Sequence, residues 1–209
     1  EQTHRLQTVV LDKTGTVTEG KPVVTDILSA DGIAPEEILS LAASAELHSE
    51  HPLGEAIVES AARKGLAMLD LEHFQAVPGQ GIEARIQGKD VLLGNEKLMG
   101  ERGVELGLLS ERSQELAAKG KTPMFVAVDG SPAGLIAVAD VPKPSSAQAI
   151  SRLRDMGLEV VMITGDNQRT AQAIAGEVGV ERVFAEVLPQ DKAEAVKKLQ
   201  AEGRRVAMV

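Results

Sequence analysis

One stretch decides the fold, and it reads LQTVVLDKTGT at residues 6–16. Its apolar run at 9–11, rich in β-branched side chains, is typical of a short strand buried on both faces of a parallel sheet. The run ends at Asp12, and a polar turn containing a glycine follows. In an open α/β sheet, ligands bind in the crevice beyond the carboxyl ends of the strands, so we expect Asp12 to lie in such a crevice.

The carboxylate of Asp12 is a candidate nucleophile. In that position it can form an acyl phosphate, with Lys13 adding positive charge nearby. An aspartate that only caps a turn is the alternative for a single Asp after a strand. Thr14 lies two positions after Asp12, and its hydroxyl is a poor general acid or base at neutral pH. We therefore expect a phosphoenzyme that forms readily and hydrolyses slowly.

The five residues DKTGT at 12–16 resemble the phosphorylation motif of the P-type ATPases. The resemblance implies a discontinuous, haloacid-dehalogenase-like α/β phosphorylation domain built on a parallel sheet. It also implies an inserted α+β nucleotide-binding domain built on an antiparallel sheet. ATP and Mg²⁺ would be the cofactors, with Asp12 and the backbone carbonyl of Thr14 as Mg²⁺ ligands.

The order of the predicted elements divides the chain in two. From 141 to 209, short apolar strands alternate with helices, which indicates a parallel, doubly wound sheet. Residues 21–140 predict an antiparallel sheet with helices, with hairpin turns at Gln87-Gly88 and Asp129-Gly130. One strand cannot hold a core alone, so we expect residues 1–20 to complete the α/β domain with 141–209. Prolines at the two crossings favour a stiff hinge.

A second turn, ITGDN at residues 163–167, repeats the strand-turn-helix layout of the opening stretch. Both turns are expected at the same edge of the sheet, which would bring Thr164 and Asp166 towards Asp12. The Thr164 hydroxyl and nearby backbone N–H groups would then bind phosphate oxygens. Taken alone, the turn is explained equally well by a helix cap.

Lys192 falls in the first turn of a predicted helix, where the positive end of the helix dipole makes a lysine unfavourable. A solvated lysine is the simpler account, but a bound phosphate would supply the missing negative charge. This lysine and the Thr-Gly-Asp turn match the P-type ATPase pattern. The resemblance therefore implies one catalytic group: Asp12, Lys13, Thr14, Thr164, Gly165, Asp166 and Lys192.

A further signature lies in the predicted insert, where SEHPL at 49–53 resembles the nucleotide-domain motif of heavy-metal-transporting P-type ATPases, most similar to the copper-exporting ones. A metal site at His48 and His51 is disfavoured, since no third ligand stands close in sequence. A lone Gly-x-Gly is a weak signal, because glycines also serve bulges and hairpins. The resemblance implies that Glu46 and His51 lie at the adenine, within a nucleotide site made of Glu46, His51, Gly79, Gly81, Gly94 and Asn95.

The composition limits the partners. The net charge is −9, from 22 basic and 31 acidic residues, and only 1% of residues are aromatic, which argues against nucleic acid as a main partner. The absence of cysteine excludes thiolate metal sites. No apolar run approaches the roughly 18 residues of a membrane span. If the chain is part of a membrane pump, as the resemblance implies, we expect it to be the cytoplasmic part of that integral membrane protein. Its transmembrane and actuator domains would lie outside this sequence, and its transported metal would bind elsewhere.

The sequence departs from the family at one point. P-type ATPases place Gly-Asp-Gly-x-Asn-Asp just after the strand that here ends at Val209, and its aspartate helps to hold Mg²⁺. Without it, we expect the isolated chain to be impaired in Mg²⁺ binding and autophosphorylation. Two other interpretations remain. One is a stand-alone phosphatase of the haloacid dehalogenase superfamily, which Thr14 disfavours. The other is a nucleotide-binding module that does not react.

Overall fold

The computed structural model describes residues 6–30, 32–49 and 51–209. Within these ranges the chain forms two compact units. The α/β unit contains the described residues up to Lys21 together with Ala118–Gly120 and Asp140–Val209. The α+β unit contains Pro22–Ala117 and Lys121–Ala139. Glu50 of the SEHPL signature and residues 1–5 of the predicted phosphorylation domain lie outside the described residues.

Ten strands and seven helices are assigned in the described ranges. The strands are β1 Thr8–Asp12, β2 Thr18–Ser29, β3 Leu71–Val77, β4 Gly81–Ile86, β5 Lys89–Gly94, β6 Thr122–Val128, β7 Ser131–Pro142, β8 Glu159–Ile163, β9 Arg182–Phe184 and β10 Val206–Met208. The helices are α1 Pro35–Glu46, α2 Pro52–Arg63, α3 Glu96–Glu101, α4 Leu108–Ala118, α5 Ser146–Asp155, α6 Gln168–Val178 and α7 Lys192–Ala201.

The α/β unit is built on a parallel sheet in the order β10-β1-β8-β9. Successive residues of β1 face opposite sides of this sheet. Val9 and Leu11 pack in a core with Ile150 of α5 and Ile174 of α6. Val10 packs in the other core, which contains residues of α7. Both faces of β1 are therefore covered, which explains why its sequence is an unbroken apolar run. The predicted parallel sheet is confirmed.

The α+β unit is built on a six-stranded sheet in the order β2-β7-β6-β5-β4-β3, with antiparallel pairing from β3 to β7. Its hairpins turn at the predicted positions. Gln87 and Gly88 have φ of 49° and 73°, and Asp129 and Gly130 have φ of 47° and 77°. Positive φ at both central residues defines the tight turn that matches strand twist. One face of the sheet packs against α1 and α2, and the other against α3 and α4.

The two crossings predicted from the sequence both lie in strands. The first crossing lies in β2, which extends from Thr18 to Ser29 and contains Pro22. A proline fits inside it because β2 lies at the edge of the six-stranded sheet, where a missing N–H is tolerated. The second crossing lies in β7, which ends at Pro142.

None of the helices in the described ranges has the combination of length and apolar character that a membrane crossing requires. Over the same ranges, no group of three or more histidine, aspartate or glutamate side chains is arranged to hold a metal ion.

Candidate active site and nucleotide cavity

Asp12 is the last residue of β1 and lies opposite Ile163, the last residue of β8, in parallel pairing. The two turns that follow these strands consequently leave the sheet at the same edge. Asp12 Oδ2 accepts a hydrogen bond from Lys192 Nζ at 2.6 Å. Lys192 opens α7, whose preceding turn, Pro189–Asp191, follows β9. The fold thus joins the carboxylate of the opening motif to a lysine 180 residues away.

Lys13 points away from solvent, and only 4% of it is exposed. Its Nζ atom lies 2.6 Å from Asp166 Oδ2 and 3.5 Å from Asp140 Oδ2. The ion pair with Asp166 links the two predicted turns directly. A buried ammonium requires opposite charge nearby, and these two carboxylates supply it.

Asp140 was not among the predicted site residues, yet its carboxylate organises the turn after β1. Its Oδ1 atom accepts the backbone N–H of Gly20 at 3.0 Å, and its Oδ2 atom lies 2.5 Å from the hydroxyl of Thr18. Lys143 also reaches this turn and donates from Nζ to the Gly15 carbonyl at 2.5 Å. The sequence placed both residues near a domain crossing and gave no signal that a carboxylate from there pairs with Lys13.

The second predicted turn is held by its own hydrogen bonds. Thr164 is buried, and its Oγ1 accepts the backbone N–H of Asp166 at 3.1 Å. Asn167 is the N-cap of α6, and its Oδ1 accepts the N–H of Thr170 at 3.0 Å. The helix cap is therefore Asn167, while the Asp166 carboxylate pairs with Lys13. Gly165 lies between these residues and follows β8 at the edge that carries Asp12.

The oxygen donors near Asp12 suit a hard cation. Mg²⁺ prefers oxygen ligands and is usually bound through one or two carboxylates, waters and substrate phosphates. The half-buried Asp12 carboxylate provides one such donor. Thr14 is exposed and has an extended backbone with ψ of 119°, and its carbonyl is the second predicted donor. These oxygen donors fit Mg²⁺. That they bind Mg²⁺ stays a prediction.

A cavity of about 410 Å³ lies in the α+β unit. Apolar side chains such as Phe74, Ile82 and Met124 line it, together with a small number of polar groups. A mostly apolar cavity with a few polar groups is typical of small-molecule sites. All six residues that the resemblance assigned to the nucleotide line this cavity: Glu46, His51, Gly79, Gly81, Gly94 and Asn95. Ser49 of the SEHPL signature and Gln80, between the two glycines, line it as well, and so does Thr122, which sequence reasoning missed.

The carboxyl group of Glu46 is the most unusual group in the cavity. Glu46 ends α1 and is 4% exposed, and its Oε2 atom is buried without a hydrogen-bond partner in the described structure. Burial raises the pKa of this carboxyl, while Ser49 and the charge of His51 oppose the rise. The buried Oε1 atom of Gln80 also lacks a partner among the described residues. The cavity therefore offers buried acceptors to a ligand that can donate hydrogen bonds.

His51 and Asn95 each cap a helix beside the cavity. His51 Nδ1 accepts the N–H of Leu53 at 3.2 Å, at the start of α2. This bond makes Nδ1 an acceptor, so a neutral His51 carries its proton on Nε2. Asn95 Oδ1 accepts the N–H of Leu98 at 3.1 Å, and its Nδ2 donates to the Gly79 carbonyl at 3.0 Å. Asn95 thereby ties the start of α3 to the Gly-x-Gly loop.

Two of the predicted glycines are required by close backbone contact. Gly81 of β4 pairs with Gly94 of β5. A Cβ on Gly81 would lie 2.1 Å from the Leu93 carbonyl oxygen, and one on Gly94 would lie 2.3 Å from the Gln80 carbonyl oxygen. Gly79 has φ of 71° with open space beside it, so its backbone conformation is what favours glycine there.

The fold and the turn around Asp12 are those of a known hydrolase family. The family model described as haloacid dehalogenase-like hydrolase matches residues 6–209. The chain belongs to this family. The fold class predicted from the sequence is confirmed.

The chain is also similar to metal-transporting P-type ATPases. It is 52% identical over its whole length to a "Copper-exporting P-type ATPase" of Bacillus subtilis (strain 168) and covers 26% of that protein. It is 45% identical over 201 residues to "Copper-transporting ATPase 2" of Rhizobium meliloti (strain 1021), covering 96% of this chain and 24% of the relative. The chain thus spans about a quarter of the length of these relatives. The predicted resemblance is confirmed.

Solved structures agree with the sequence comparison. A zinc-transporting PIB-type ATPase in the E2.Pi state superposes with a TM-score of 0.90 and 40% identity, covering 99% of this chain and 33% of that one. The catalytic domain of the CPx-ATPase CopB-B, described in terms of conformational changes upon nucleotide binding, gives a TM-score of 0.67 and 25% identity, covering 98% of this chain and 71% of that one.

Proposed function

We propose that the α+β unit binds ATP and that Asp12 of the α/β unit accepts its terminal phosphoryl group. The observation that carries the proposal is the pairing of Asp12 with Lys192 at the carboxyl edge of the parallel sheet, 2.6 Å apart. This edge is where open α/β sheets bind ligands. A lysine beside a nucleophilic carboxylate lowers the cost of bringing a polyanion to it.

The reaction is a phosphoryl transfer to a carboxylate. An Asp12 carboxylate oxygen attacks the γ-phosphorus, the bond from that phosphorus to the bridging oxygen breaks, and ADP leaves with the electron pair. Lys192 offsets the charge that spreads over the transferred group. The Thr164 hydroxyl, which accepts the N–H of Asp166 and can still donate its own proton, and the backbone N–H of Gly165 bind its oxygens. Lys13 neutralises Asp166 and keeps the two turns joined.

Asp12 and the carbonyl of Thr14 would hold Mg²⁺, which supplies positive charge to the phosphate oxygens when bound. Thr14 also sets the fate of the product. No acid occupies that position to activate water, so the aspartyl phosphate persists.

The base of the nucleotide occupies the cavity of the α+β unit in this proposal. The unpartnered Glu46 Oε2 gives an exocyclic amine an acceptor, and His51, whose Nδ1 accepts the N–H of Leu53, presents Nε2–H as a donor. Gly79, Gly81 and Gly94 line the cavity without side chains, so the ligand meets backbone there. The similarity to CopB-B supports nucleotide binding, because the catalytic domain of that CPx-ATPase changes conformation upon nucleotide binding.

We propose further that the chain is the cytoplasmic part of an integral membrane pump for a soft metal ion, with copper favoured by its relatives. The aspartyl phosphate would drive transmembrane and actuator domains of the same pump. The transported ion would bind in those membrane segments, and nucleic acid would have no part in the cycle.

Radiolabelling tests the proposal. A full-length protein containing this chain is incubated with γ-labelled ATP and Mg²⁺, with Asp12→Asn and the matched control Asp155→Asn in parallel. We expect label that hydroxylamine removes in the wild type and in the Asp155→Asn protein, and none in Asp12→Asn. Label retained by Asp12→Asn would refute the assignment. Rapid phosphate-ester turnover without accumulated label would favour a phosphatase instead.

A further inference from the structure

A glycine in α2 lies directly against the Glu46 carboxyl group. Gly54 is the third residue of α2 and is buried. A Cβ built on Gly54 would lie 2.3 Å from Glu46 Oε2, 2.8 Å from Glu46 Cδ and 3.1 Å from Ser49 Oγ. Real Cβ atoms are essentially never closer than 3.0 Å to another heavy atom. The present position of the carboxyl group therefore requires a residue without a side chain at 54.

Backbone conformation does not explain this glycine. Gly54 lies inside a regular helix and is absent from the residues with positive φ. Glycine in a helix is less favourable than alanine, because it loses more backbone entropy on folding. The helix thus accepts an unfavourable residue at a site where alanine would suit the backbone. Space for the Glu46 carboxyl group is the property that glycine provides.

The Glu46 carboxyl group lies where a ligand in the cavity can donate a hydrogen bond to it. It lines the cavity, and its Oε2 atom has no hydrogen-bond partner in the described structure. A buried acceptor without a partner is costly, so a ligand that donates to it recovers that cost. Its value to a ligand depends on position, because hydrogen bonds weaken steeply beyond a narrow range of distance and angle.

We propose that Gly54 is a positioning residue for nucleotide binding: the bare backbone at this position of α2 lets the Glu46 carboxyl group sit where it accepts a hydrogen bond from the base. This inference rests on the proposed function, because it assumes that the base occupies the cavity. Gly54 itself does not contact the ligand and acts through Glu46.

Gly54→Ala tests the position of the Glu46 carboxyl group separately from the stability of the folded chain. The atoms that a new methyl group would meet are the far end of a long side chain, so the carboxyl group moves and the helix stays. The matched control is Gly100→Ala. Gly100 lies in α3 of the same unit, and a Cβ there would meet nothing within 4 Å. Both substitutions replace a helical glycine by a better helix former.

The experiment is calorimetric titration of the chain with ATP, combined with thermal unfolding followed by circular dichroism. Losing a hydrogen bond to a charged group corresponds to about tenfold or more in Kd. We expect that loss for Gly54→Ala, no change for Gly100→Ala, and a midpoint of unfolding at least as high as that of the wild type for both. In a Glu46→Asp background, whose side chain is shorter by one methylene group, Gly54→Ala should change Kd less than twofold further.

The outcomes distinguish this inference from the proposed function. If the wild type binds ATP and Glu46→Asp weakens binding while Gly54→Ala binds normally, the positioning role is refuted and the nucleotide site stands. An equal effect of Gly54→Ala in both backgrounds, or a lowered unfolding midpoint, also overturns the positioning role. If the wild type itself does not bind ATP, the proposed function fails first.

Discussion

Replacing the buried Lys13 by methionine tests the electrostatic arrangement around Asp12 most severely. Methionine keeps much of the volume and removes the charge that lies between two carboxylates. Asp166 then loses a partner at 2.6 Å and Asp140 one at 3.5 Å. Lys192→Met is the matched control, because it removes a lysine that pairs with a single carboxylate, Asp12, at 2.6 Å.

The exposure of each partner sets the expected size of the effect. Breaking a fully buried ion pair by removing one partner costs about 3–5 kcal/mol. The side chain of Asp166 is 34% exposed, and Asp140 keeps its bonds with Thr18 and Gly20, so part of that cost is relieved. We expect Lys13→Met to lower the free energy of unfolding by about 2–3 kcal/mol. The side chains of Lys192 and Asp12 are 25% and 30% exposed, which predicts at most about 1 kcal/mol for Lys192→Met.

Urea unfolding of the isolated chain measures this difference. Far-ultraviolet circular dichroism is the appropriate signal, because the chain has no tryptophan or tyrosine. With a slope of about 1–3 kcal/mol per molar urea, the midpoint for Lys13→Met should fall by about 0.7–3 M. Lys192→Met should unfold close to the wild type while losing phosphorylation in the full-length protein. Equal midpoints for Lys13→Met and the wild type would show that the buried lysine does not join the two turns.

Three further predictions concern single residues. Glu46→Gln should remove a pH dependence of stability: burial raises the pKa of Glu46, so the folded state holds its proton more tightly and stability falls as pH rises above the ordinary value of 4.5. Unfolding across a pH series checks this, and the same slope in wild type and variant would contradict it. Asn95→Ala should cost about 1 kcal/mol by removing the cap of α3 and should also weaken ATP binding, because the bond to the Gly79 carbonyl is lost. Unchanged stability would argue against the cap. Thr14→Asp should shorten the lifetime of the aspartyl phosphate by supplying a general acid–base, which a chase of the labelled pump with unlabelled ATP measures. An unchanged lifetime would show that the residue at position 14 does not control hydrolysis of the aspartyl phosphate.

The sequence predicted the α/β unit well where local pattern and topology agree. The apolar run of β1 and the similar run of β8 are each buried on both sides, and each ends in a polar turn. Parallel pairing of two such strands aligns their carboxyl ends, which is why Asp12 and the Thr164-Gly165-Asp166 turn could be expected at one edge. A short-range sequence pattern was therefore enough to predict that the two turns lie at the same edge of the sheet.

The partners of Lys13 could not be predicted in this way. A lysine next to Asp12 in sequence was expected to add positive charge near the phosphate. Its ammonium is instead buried between Asp166 and Asp140, and Asp140 lies 127 residues away. Side-chain burial depends on which segments meet in space, and a single sequence carries no direct signal of that.

The cavity of the α+β unit shows the same limit. Motif resemblance identified six of its residues, but the reason for individual residues emerged only from atomic contacts. Gly54 reads as an ordinary small residue in a helix, yet a Cβ there would clash with Glu46. Glu46 was assigned to the site by resemblance, but nothing in the sequence indicated that its side chain is almost fully buried.

The central claim is that the carboxylate of Asp12 becomes the phosphorylated group. The most direct measurement is reductive trapping of the phosphorylated full-length protein with borohydride, which converts an aspartyl phosphate to homoserine, followed by peptide sequencing. The account predicts homoserine at position 12, and only after treatment with ATP and Mg²⁺. Homoserine at Asp166 or Asp140, or aspartate left intact at position 12 in labelled protein, would contradict it.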